Sequence, residues 1–394
     1  MKCKQLKKGM ALMFAMVMMF NLSLPSAALK LKGLDKDAEQ TVTSEDKKVS
    51  KKTSRKKADI FANFTEDMIP SENNKPLEIE RVFSRFFIFL GEVRVGQTVN
   101  CEITDYLPGA EISFDYEGKY IKVWIEDNRV YLKGVAVGSE PLTVTVKCKG
   151  YQTRSMSDEV IVHPSGTQKI FTKRDVSLID YDYLLGGTKA KYYFSNDGRS
   201  KYEVTTSGGV KAAIAKPEKE GYNSVYIDAT VTSEGTITIK RTTPEGKVES
   251  ATIPVTYDYP KEYLQRGLDI WYYTNVERKK HGLKPLKLDK DLMETAALRT
   301  MELHHEYGPE HLRPDGSSCF TAYPWNPEGT AEFMSVSENI AMGYQANDLC
   351  PTGKEWVEAW MNSPSHRDNI LDKDHTHIGA VGDMRYATQS FGRK

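Results

Sequence analysis

The chain has 394 residues, and its 54 lysines and arginines balance its 54 aspartates and glutamates to a formal net charge of zero. This balance gives no electrostatic reason to expect nucleic acid as a partner, since nucleic-acid-binding domains carry a basic surface. Hydrophobic residues make up 39% of the chain, enough for ordinary cores in roughly two or three domains.

The N-terminus has the layout of a secretory signal peptide, which we predict at residues 1–28. Several lysines precede an apolar run from Ala11 to Leu24, and Pro25-Ser26-Ala27-Ala28 supplies a helix breaker and small residues for cleavage. An uncleaved anchor helix is the alternative, but polar residues and Pro25 interrupt the run before it can span a bilayer comfortably. No later apolar run is long enough to cross a membrane. We therefore expect an extracellular or cell-surface protein that is not an integral membrane protein.

Residues 29–80 are predicted to form a disordered basic linker, because the stretch is rich in lysine and has hardly any apolar residue up to Lys57. Its positive charge would allow contact with anionic cell-wall polymer or lipid headgroups. A solvated spacer is the alternative.

Short alternating strands separated by turn residues fill residues 81–163 and again residues 168–258, a pattern typical of two all-β sandwiches. Val144 and Ile237 are separated by the same 93 positions as Val160 and Ile253. A constant offset in two strands favours tandem modules of one fold.

The first block, through its segments Val95 to Val99 and Val130 to Val146, also resembles bacterial Ig-like (Big) domains. Neither block has His, Asp or Glu residues at catalytic spacing. We therefore expect both blocks to be spacer or adhesive modules.

Four cysteines remain once residues 1–28 are removed, two in each half of the chain: Cys101, Cys148, Cys319 and Cys350. An even count in an exported protein permits disulfides, and we predict the bridges Cys101–Cys148 and Cys319–Cys350. Four buried free thiols are the alternative. No Cys-x-x-Cys spacing occurs, so a structural zinc site is not expected.

After Pro260 the apolar period becomes helical, and capping or breaking residues mark the helix ends. The first helix stops at His281-Gly282, the second follows Asp291, the third begins at the capping box of Thr352, and the fourth begins at Ser363-Pro364. Two short strands follow, Ile378 to Val381 and Tyr386 to Phe391. Helices with a small antiparallel sheet predict an α+β layered domain.

Six motifs in this region resemble the CAP superfamily, which includes cysteine-rich secretory proteins, antigen-five-like allergens and plant pathogenesis-related proteins. They occur in the family order: Asn275 to Arg278, Gly282 to Leu286, His311 to Gly316, Ser337 to Ala341, Trp360 to Ile370, and Ile378 to Gly382. The resemblance is to the secreted bacterial SCP-like branch. Residues 261–394 are thus identified as a CAP domain, which implies an α-β-α sandwich.

The resemblance also implies a cleft lined by two histidines and two acidic residues. His311, Glu338 and His366 match the first histidine, the first acidic residue and the second histidine. Eukaryotic members carry the second acidic residue where this chain has Asn362 and Ser363, and Glu358 is the nearest substitute. Two neutral imidazoles and a carboxylate suit a divalent metal such as zinc, whose bound water would attack a carbonyl with Glu338 as base.

Three functional hypotheses follow. In the preferred one, a lipid, glycan or peptide binds in the His311/Glu338/His366 cleft while the β modules hold the domain away from the cell. The second is a metal-dependent, peptidase-like hydrolase acting on cell-wall or extracellular substrates, and the third is a purely adhesive protein. The missing second carboxylate favours binding over catalysis, and Glu338 also has the alternative role of tying its loop to the core.

Overall fold

The structure of the protein is a computed structural model. It describes residues 60–62, 64–79, 86–87, 90–102, 109–181, 184, 187–215, 223–305, 311–324, 333–343, 351–383 and 385–394. The predicted signal peptide and most of the predicted linker lie outside these ranges. Within them, none of the helices combines the length and apolar character needed to span a membrane.

The described residues before the first sheet are folded, which corrects the prediction of a disordered linker up to residue 80. Met68, Leu77 and Ile79 are buried, and the amide of Lys75 donates to the carbonyl of Gly150 at 3.0 Å. The lysine-rich composition ends at Lys57, and the apolar residues after it have enough surface to bury. The described residues 60–62 and 64–79 therefore belong to the folded protein.

Seven strands form two sheets around one apolar core: β1 (Glu92–Arg94), β2 (Thr98–Cys101), β3 (Glu111–Asp115), β4 (Ile121–Glu126), β5 (Arg129–Gly134), β6 (Gly138–Lys147) and β7 (Arg154–His163). One sheet has the order β1-β7-β6-β3 and the other β2-β5-β4. Their alternate side chains meet in one cluster, with Leu132 and Val144 fully buried from the two sheets. The Ig-like identity of this block stays a prediction.

The predicted bridge between Cys101 and Cys148 is not formed in the structure, where both residues are free cysteines. Cys101 ends β2 in one sheet and Cys148 follows β6 in the other, and each packs separately against the core. Burial raises the pKa of the Cys101 thiol to about 12. Cys319 is also a free, buried cysteine, and its predicted partner Cys350 lies outside the described residues.

The next five strands differ from the predicted second sandwich, because the described strands form one sheet: β8 (Val176–Tyr181), β9 (Lys189–Ser195), β10 (Lys201–Ile214), β11 (Ser224–Thr242) and β12 (Val248–Val255). The length of β11 explains this. Its first half pairs with β9 and its second half with β12, while β10 runs along its other edge with a bulge at Gly208. The long strand β11 thus holds β9, β10 and β12 in one sheet, where a sandwich would divide them between two.

The 93-residue offset relates two hairpins that differ in register. Val144 of β6 pairs with Met156, whereas Ile237 of β11 pairs with Ile253, whose counterpart at that offset is Val160. The two hairpins are therefore not equivalent strand for strand, and the offset does not make the blocks copies of one module.

The C-terminal domain has four α-helices among its described residues: α1 (Lys261–Lys280), α2 (Lys290–Glu302), α3 (Gly353–Met361) and α4 (Pro364–Leu371). The predicted C-terminal end of α1 and the predicted starts of α3 and α4 are confirmed, including the Thr352–Glu355 capping box and Pro364 in the first turn of α4. The start of α2 is two residues earlier than predicted. Asp289, rather than Asp291, caps it by accepting from the amides of Asp291 and Leu292.

These helices lie on both faces of a four-stranded sheet of order β13-β15-β16-β14, formed by β13 (Lys287–Leu288), β14 (Ser335–Met342), β15 (His377–Gly382) and β16 (Tyr386–Arg393). Ile378 and Phe391 face the cluster made with α1, α3 and α4, whereas Val381, on the alternate face, packs with α2. Gly379 allows the close approach of α2, since an added Cβ would lie 2.0 Å from the Leu292 backbone. The domain is an α-β-α layered structure.

Helix α1 also contacts both β blocks. Arg154 of β7 donates from Nη2 to both carboxylate oxygens of Asp269, at 2.7 and 2.6 Å, and both side chains are nearly buried. Leu264 and Leu268 belong to the same apolar cluster as Val231 and other residues of the five-stranded sheet. The boundary predicted at residue 261 therefore crosses a shared core.

Candidate functional site

The candidate site lies at β14, the edge strand of the C-terminal sheet. Successive side chains of a strand point to opposite faces, so Glu338 and Asn339 point to different layers. Glu338 contacts Arg299 of α2, and the amide of Asn339 donates to the carbonyl of His366 in α4 at 3.0 Å. The two predicted histidines are thus held from the two sides of β14.

The carboxylate of Glu338 is held from two directions. Arg299 donates from Nε to Oε2 at 2.8 Å, and His311 lies with Nδ1 3.0 Å from Oε1. The side chains of Glu338 and Arg299 are 1% and 0% exposed, whereas that of His311 is 53% exposed. Because a carboxylate only accepts, Nδ1 of His311 carries the proton. In the neutral imidazole, Nε2 is then the nitrogen left for a ligand or metal.

The opposite charges of Glu338 and Arg299 stabilise each other. Burial alone would raise the pKa of Glu338, but the hydrogen bond from His311 and the Arg299 charge outweigh it and lower that pKa. Burial alone would lower the pKa of Arg299, and the charges of Glu338 and Glu302 raise it instead. Glu338 is therefore ionised at neutral pH in a buried ion pair.

The same ion pair extends to the loop that carries His311. Arg299 Nη1 donates to Glu302 at 2.6 Å and to the carbonyl of Leu312 at 3.1 Å. Arg313 donates from Nε and Nη2 to the other oxygen of Glu302, at 2.9 and 2.7 Å. This network fixes the loop after His311 against α2.

His366 is positioned by two asparagines that join β14 to α4. Asn369 donates to the side-chain oxygen of Asn339 at 2.8 Å, and Asn339 donates to the His366 carbonyl. Burial, with the charge of His311 as a smaller cause, lowers the pKa of His366 to about 4. His366 is therefore a neutral imidazole at pH 7, and the effect of the His311 charge on its pKa indicates that the two side chains lie near each other.

Cys319 joins the site without having been predicted to do so. The ligand atoms of His311, Cys319 and Glu338 all lie within 4.8 Å of one another. Burial raises the pKa of the Cys319 thiol to about 12, and the Glu338 charge adds to the effect. In the absence of a metal, a thiol this weakly acidic stays protonated at neutral pH and is not a nucleophile.

Among the described residues, the ligand atoms that lie within 4.8 Å of one another belong to His311, Cys319 and Glu338, and His366 is not in this group. Of these residues, Glu338 is poorly placed to hold a divalent metal. Both oxygens of that carboxylate are engaged, and the Arg299 cation 2.8 Å away opposes a second cation there. Imidazole nitrogens such as His311 Nε2 and those of His366 are donors of the kind that zinc binds. If His311 held a metal, Glu338 would be the carboxylate behind the ligating histidine, which fixes the tautomer and orientation of that histidine.

The structure does not bring Glu358 into this group. Its side chain is 57% exposed and pairs at 3.9 Å with Lys354, one turn earlier on α3. Among the described contacts, none joins it to His311 or His366. The substitute predicted for the second acidic residue lies instead on the solvent side of its helix.

The open edge of β14 is partly covered. Asn369 and Trp360 donate side-chain hydrogen bonds to the carbonyls of Glu338 and Ile340, at 3.3 and 3.2 Å. These donors occupy acceptors that an added peptide strand would need. Apolar side chains beside the site remain exposed, including Leu312 and Phe320 on the His311 loop and Met342 at the end of β14.

Sequence reasoning missed Arg299, Asn339 and Asn369 as residues that build the site. Both asparagines stand inside motifs that carried the family resemblance, so each was visible but had no role. Arg299 had one signal: it is a charged residue at the spacing of the apolar positions of its helix, such as Leu292 and Ala296. Such a charge requires a buried partner.

These observations define a class of domain: an α-β-α layered structure in which a buried glutamate lies behind an exposed histidine. Residues 271–386 match the model of the CAP family, described as the cysteine-rich secretory protein family. This stretch is a CAP domain, as the resemblance implied.

The chain is similar to two curated proteins of Bacillus subtilis (strain 168). It is 30% identical to "Uncharacterized protein YkwD" over 169 residues, which cover 43% of this chain and 58% of that protein. It is 34% identical to "Uncharacterized membrane protein YlbC" over 118 residues, which cover 30% of this chain and 32% of that protein. The chain thus spans less than two thirds of each relative.

Among solved structures, the chain is similar to a cysteine-rich secretory protein from Staphylococcus aureus subsp. aureus Mu50. The identity is 14%, the match covers 82% of this chain and 97% of that one, and the TM-score is 0.29. At so low a score, this likeness supports no inference about the arrangement of the whole chain.

Proposed function

We propose that this is an exported bacterial protein whose CAP domain binds a ligand beside β14. His311 and His366 provide the polar contacts, and Glu338 orients His311 from behind. The basic and apolar segments of residues 1–28 support export. The ion pair between Arg154 and Asp269 supports a role for the β blocks in fixing the orientation of the CAP domain, rather than as loose spacers.

The observation that carries the choice of binding over hydrolysis is the engagement of Glu338. A general base must reach the proton that it removes. Glu338 is 1% exposed, and both of its oxygens already accept hydrogen bonds from charged or polar partners. Its arrangement fits a fixed anchor for His311 better than a base for a metal-bound water.

The surroundings of the histidines favour a ligand with both a polar and an apolar part. Leu312 and Phe320 expose apolar surface on the same loop as His311, and apolar surface beside a few fixed polar groups suits an amphipathic molecule. A lipid or a peptide with apolar side chains offers both parts, and a glycan is the third class to test. A divalent metal such as zinc, bound by the two imidazoles, would add a charged contact for a carboxylate or phosphate group.

The test uses the full chain without residues 1–28, because α1 shares a core with the five-stranded sheet. Zinc uptake is measured by calorimetry for the native chain, His311→Ala and His366→Ala, with Glu358→Gln as a matched control outside the group. The same proteins are titrated with a fluorescent fatty acid, a mixture of apolar peptides and a neutral oligosaccharide.

We expect that the two histidine variants lose zinc uptake and binding of one probe class, while Glu358→Gln keeps both. Binding of none of the three probes would refute the binding function. Peptide or ester hydrolysis that needs zinc and disappears in both histidine variants would establish the hydrolase instead. Zinc uptake that survives both substitutions would remove the metal from the proposal.

A further inference from the structure

The outer face of the three-stranded sheet β2-β5-β4 carries an unusual set of side chains. On β4 and β5 the inward residues, such as Val123 and Leu132, are buried in the core. The alternate residues point outward and form rows across the strands. One row is Trp124 and Tyr131 with Asn100, and the next is Lys122 and Lys133 with Thr98. We call these six residues the aromatic-lysine face.

Trp124 and Tyr131 lie directly opposite each other on this face, and their rings stack with centroids 5.3 Å apart at an interplanar angle of 11°. Neither ring belongs to the core cluster, and both are partly exposed. A cross-strand aromatic pair stabilises a sheet by about 0.2–1 kcal/mol. This stabilisation explains the presence of the aromatic pair, but it does not explain why two lysines lie beside the pair.

Lys122 and Lys133 also lie directly opposite each other, and both are exposed. Like charges in opposed positions destabilise a sheet. Among the described residues, neither ammonium group has a carboxylate partner. At the other end of the face, in contrast, Arg129 is paired with Glu102 and hydrogen-bonded to Asn100. Glu126 lies at that same end and accepts from Trp124 Nε1 at 3.3 Å. Among the described basic residues of this sheet face, Lys122 and Lys133 are thus the two whose charge no carboxylate compensates.

We propose that the aromatic-lysine face binds an anionic glycan. The exposed part of the aromatic pair would pack against the apolar face of a sugar ring, and the two lysines would bind a carboxylate or phosphate group on the same or the next sugar. Rows two residues apart along a strand are separated by about 7 Å, a distance comparable with one sugar ring and its acidic substituent.

Nucleic acid also combines stacking rings with negative charge, but the charge on this face favours a glycan. Nucleic-acid affinity rests largely on several simultaneous phosphate contacts. Here two lysines are uncompensated, and the formal charge of the chain is zero. The aromatic-lysine face lies on the first β block, so it is independent of the ligand proposed for the CAP domain.

The experiment uses the full chain without residues 1–28 in native gels that contain a dissolved polymer. Polygalacturonate supplies carboxylates, poly(glycerol phosphate) supplies phosphates, dextran is the neutral control, and single-stranded DNA tests the other polymer class. The variants are the double change Lys122→Gln with Lys133→Gln, and Trp124→Ala. The matched control is Lys201→Gln with Lys211→Gln, which removes two exposed lysines from the five-stranded sheet.

We expect one of the anionic polymers to retard the native chain, with an affinity that falls at higher salt. The Lys122/Lys133 variant should lose at least about tenfold in affinity, the effect of removing charge-assisted hydrogen bonds. Trp124→Ala should lose a similar factor, while the control pair binds as the native chain does. If circular dichroism shows that Trp124→Ala is misfolded, the lysine variant alone decides.

Three results would overturn this proposal. The native chain could bind neither anionic polymer, or it could bind dextran or DNA as tightly as the anionic glycan. The control pair could also lose as much affinity as the Lys122/Lys133 pair, which would show an effect of net charge alone.

Discussion

Replacing Glu338 by glutamine should destabilise the CAP domain by about 3 kcal/mol, because the change leaves the buried Arg299 without its main counter-charge. Breaking a buried ion pair by removing one partner costs about 3–5 kcal/mol. The lower end applies here. Arg299 keeps its 2.6 Å contact with Glu302, and the glutamine oxygen can still accept from His311.

The effect has a definite pH dependence. The pKa of Glu338 is lowered from its ordinary value of 4.5 in the folded protein. A lowered pKa means that the carboxylate contributes stability above its unfolded value, and that this contribution is lost as the pH falls through the folded value. The difference between the native chain and Glu338→Gln should therefore be full at pH 7 and shrink below pH 4.5.

Urea unfolding followed by circular dichroism and tryptophan fluorescence measures this difference. Glu358→Gln is the control, since an exposed carboxylate should change the free energy of unfolding by less than about 0.5 kcal/mol. If Glu338→Gln costs no more than Glu358→Gln at pH 7, the ion pair with Arg299 does not hold the site together.

Other outcomes follow from the same structure. Because burial lowers the pKa of His366 from 6.5 to about 4, the unfolded chain takes up this proton first, and stability should fall between those pH values. His366→Asn should flatten that slope in urea titrations, and an unchanged slope would contradict the burial of the imidazole. Asp269→Asn should cost about 3 kcal/mol by leaving the nearly buried Arg154 unpaired. Replacing both residues with apolar ones should restore most of this loss, and a double variant as unstable as the single one would refute the coupling. In denaturant without reductant, iodoacetamide should modify Cys101, Cys148 and Cys319, whereas an unmodified mass would restore the predicted bridges.

Several helix ends could be predicted from sequence because their causes are local. Thr352 and Glu355 bond to each other's backbone within one turn, and Pro364 suits a first turn wherever the helix lies. The predicted start of α2 after Asp291 was wrong by two residues, because two aspartates two positions apart can each cap a helix. Asp289 was selected by the position at which β13 ends.

By itself, the sequence predicted His311, Glu338 and His366 as site residues and determined the local ends of most helices, since motifs and caps act over a few neighbouring positions. Only the tertiary structure decided that Glu338 is bound between Arg299 and His311, that Cys319 lies beside them, and that Glu358 does not. Arg299 and Glu338 are 39 positions apart, and they meet because α2 covers one face of the sheet at its edge strand. Such contacts depend on the packing of distant layers, where burial determines which charges can pair, and no local pattern encodes that choice.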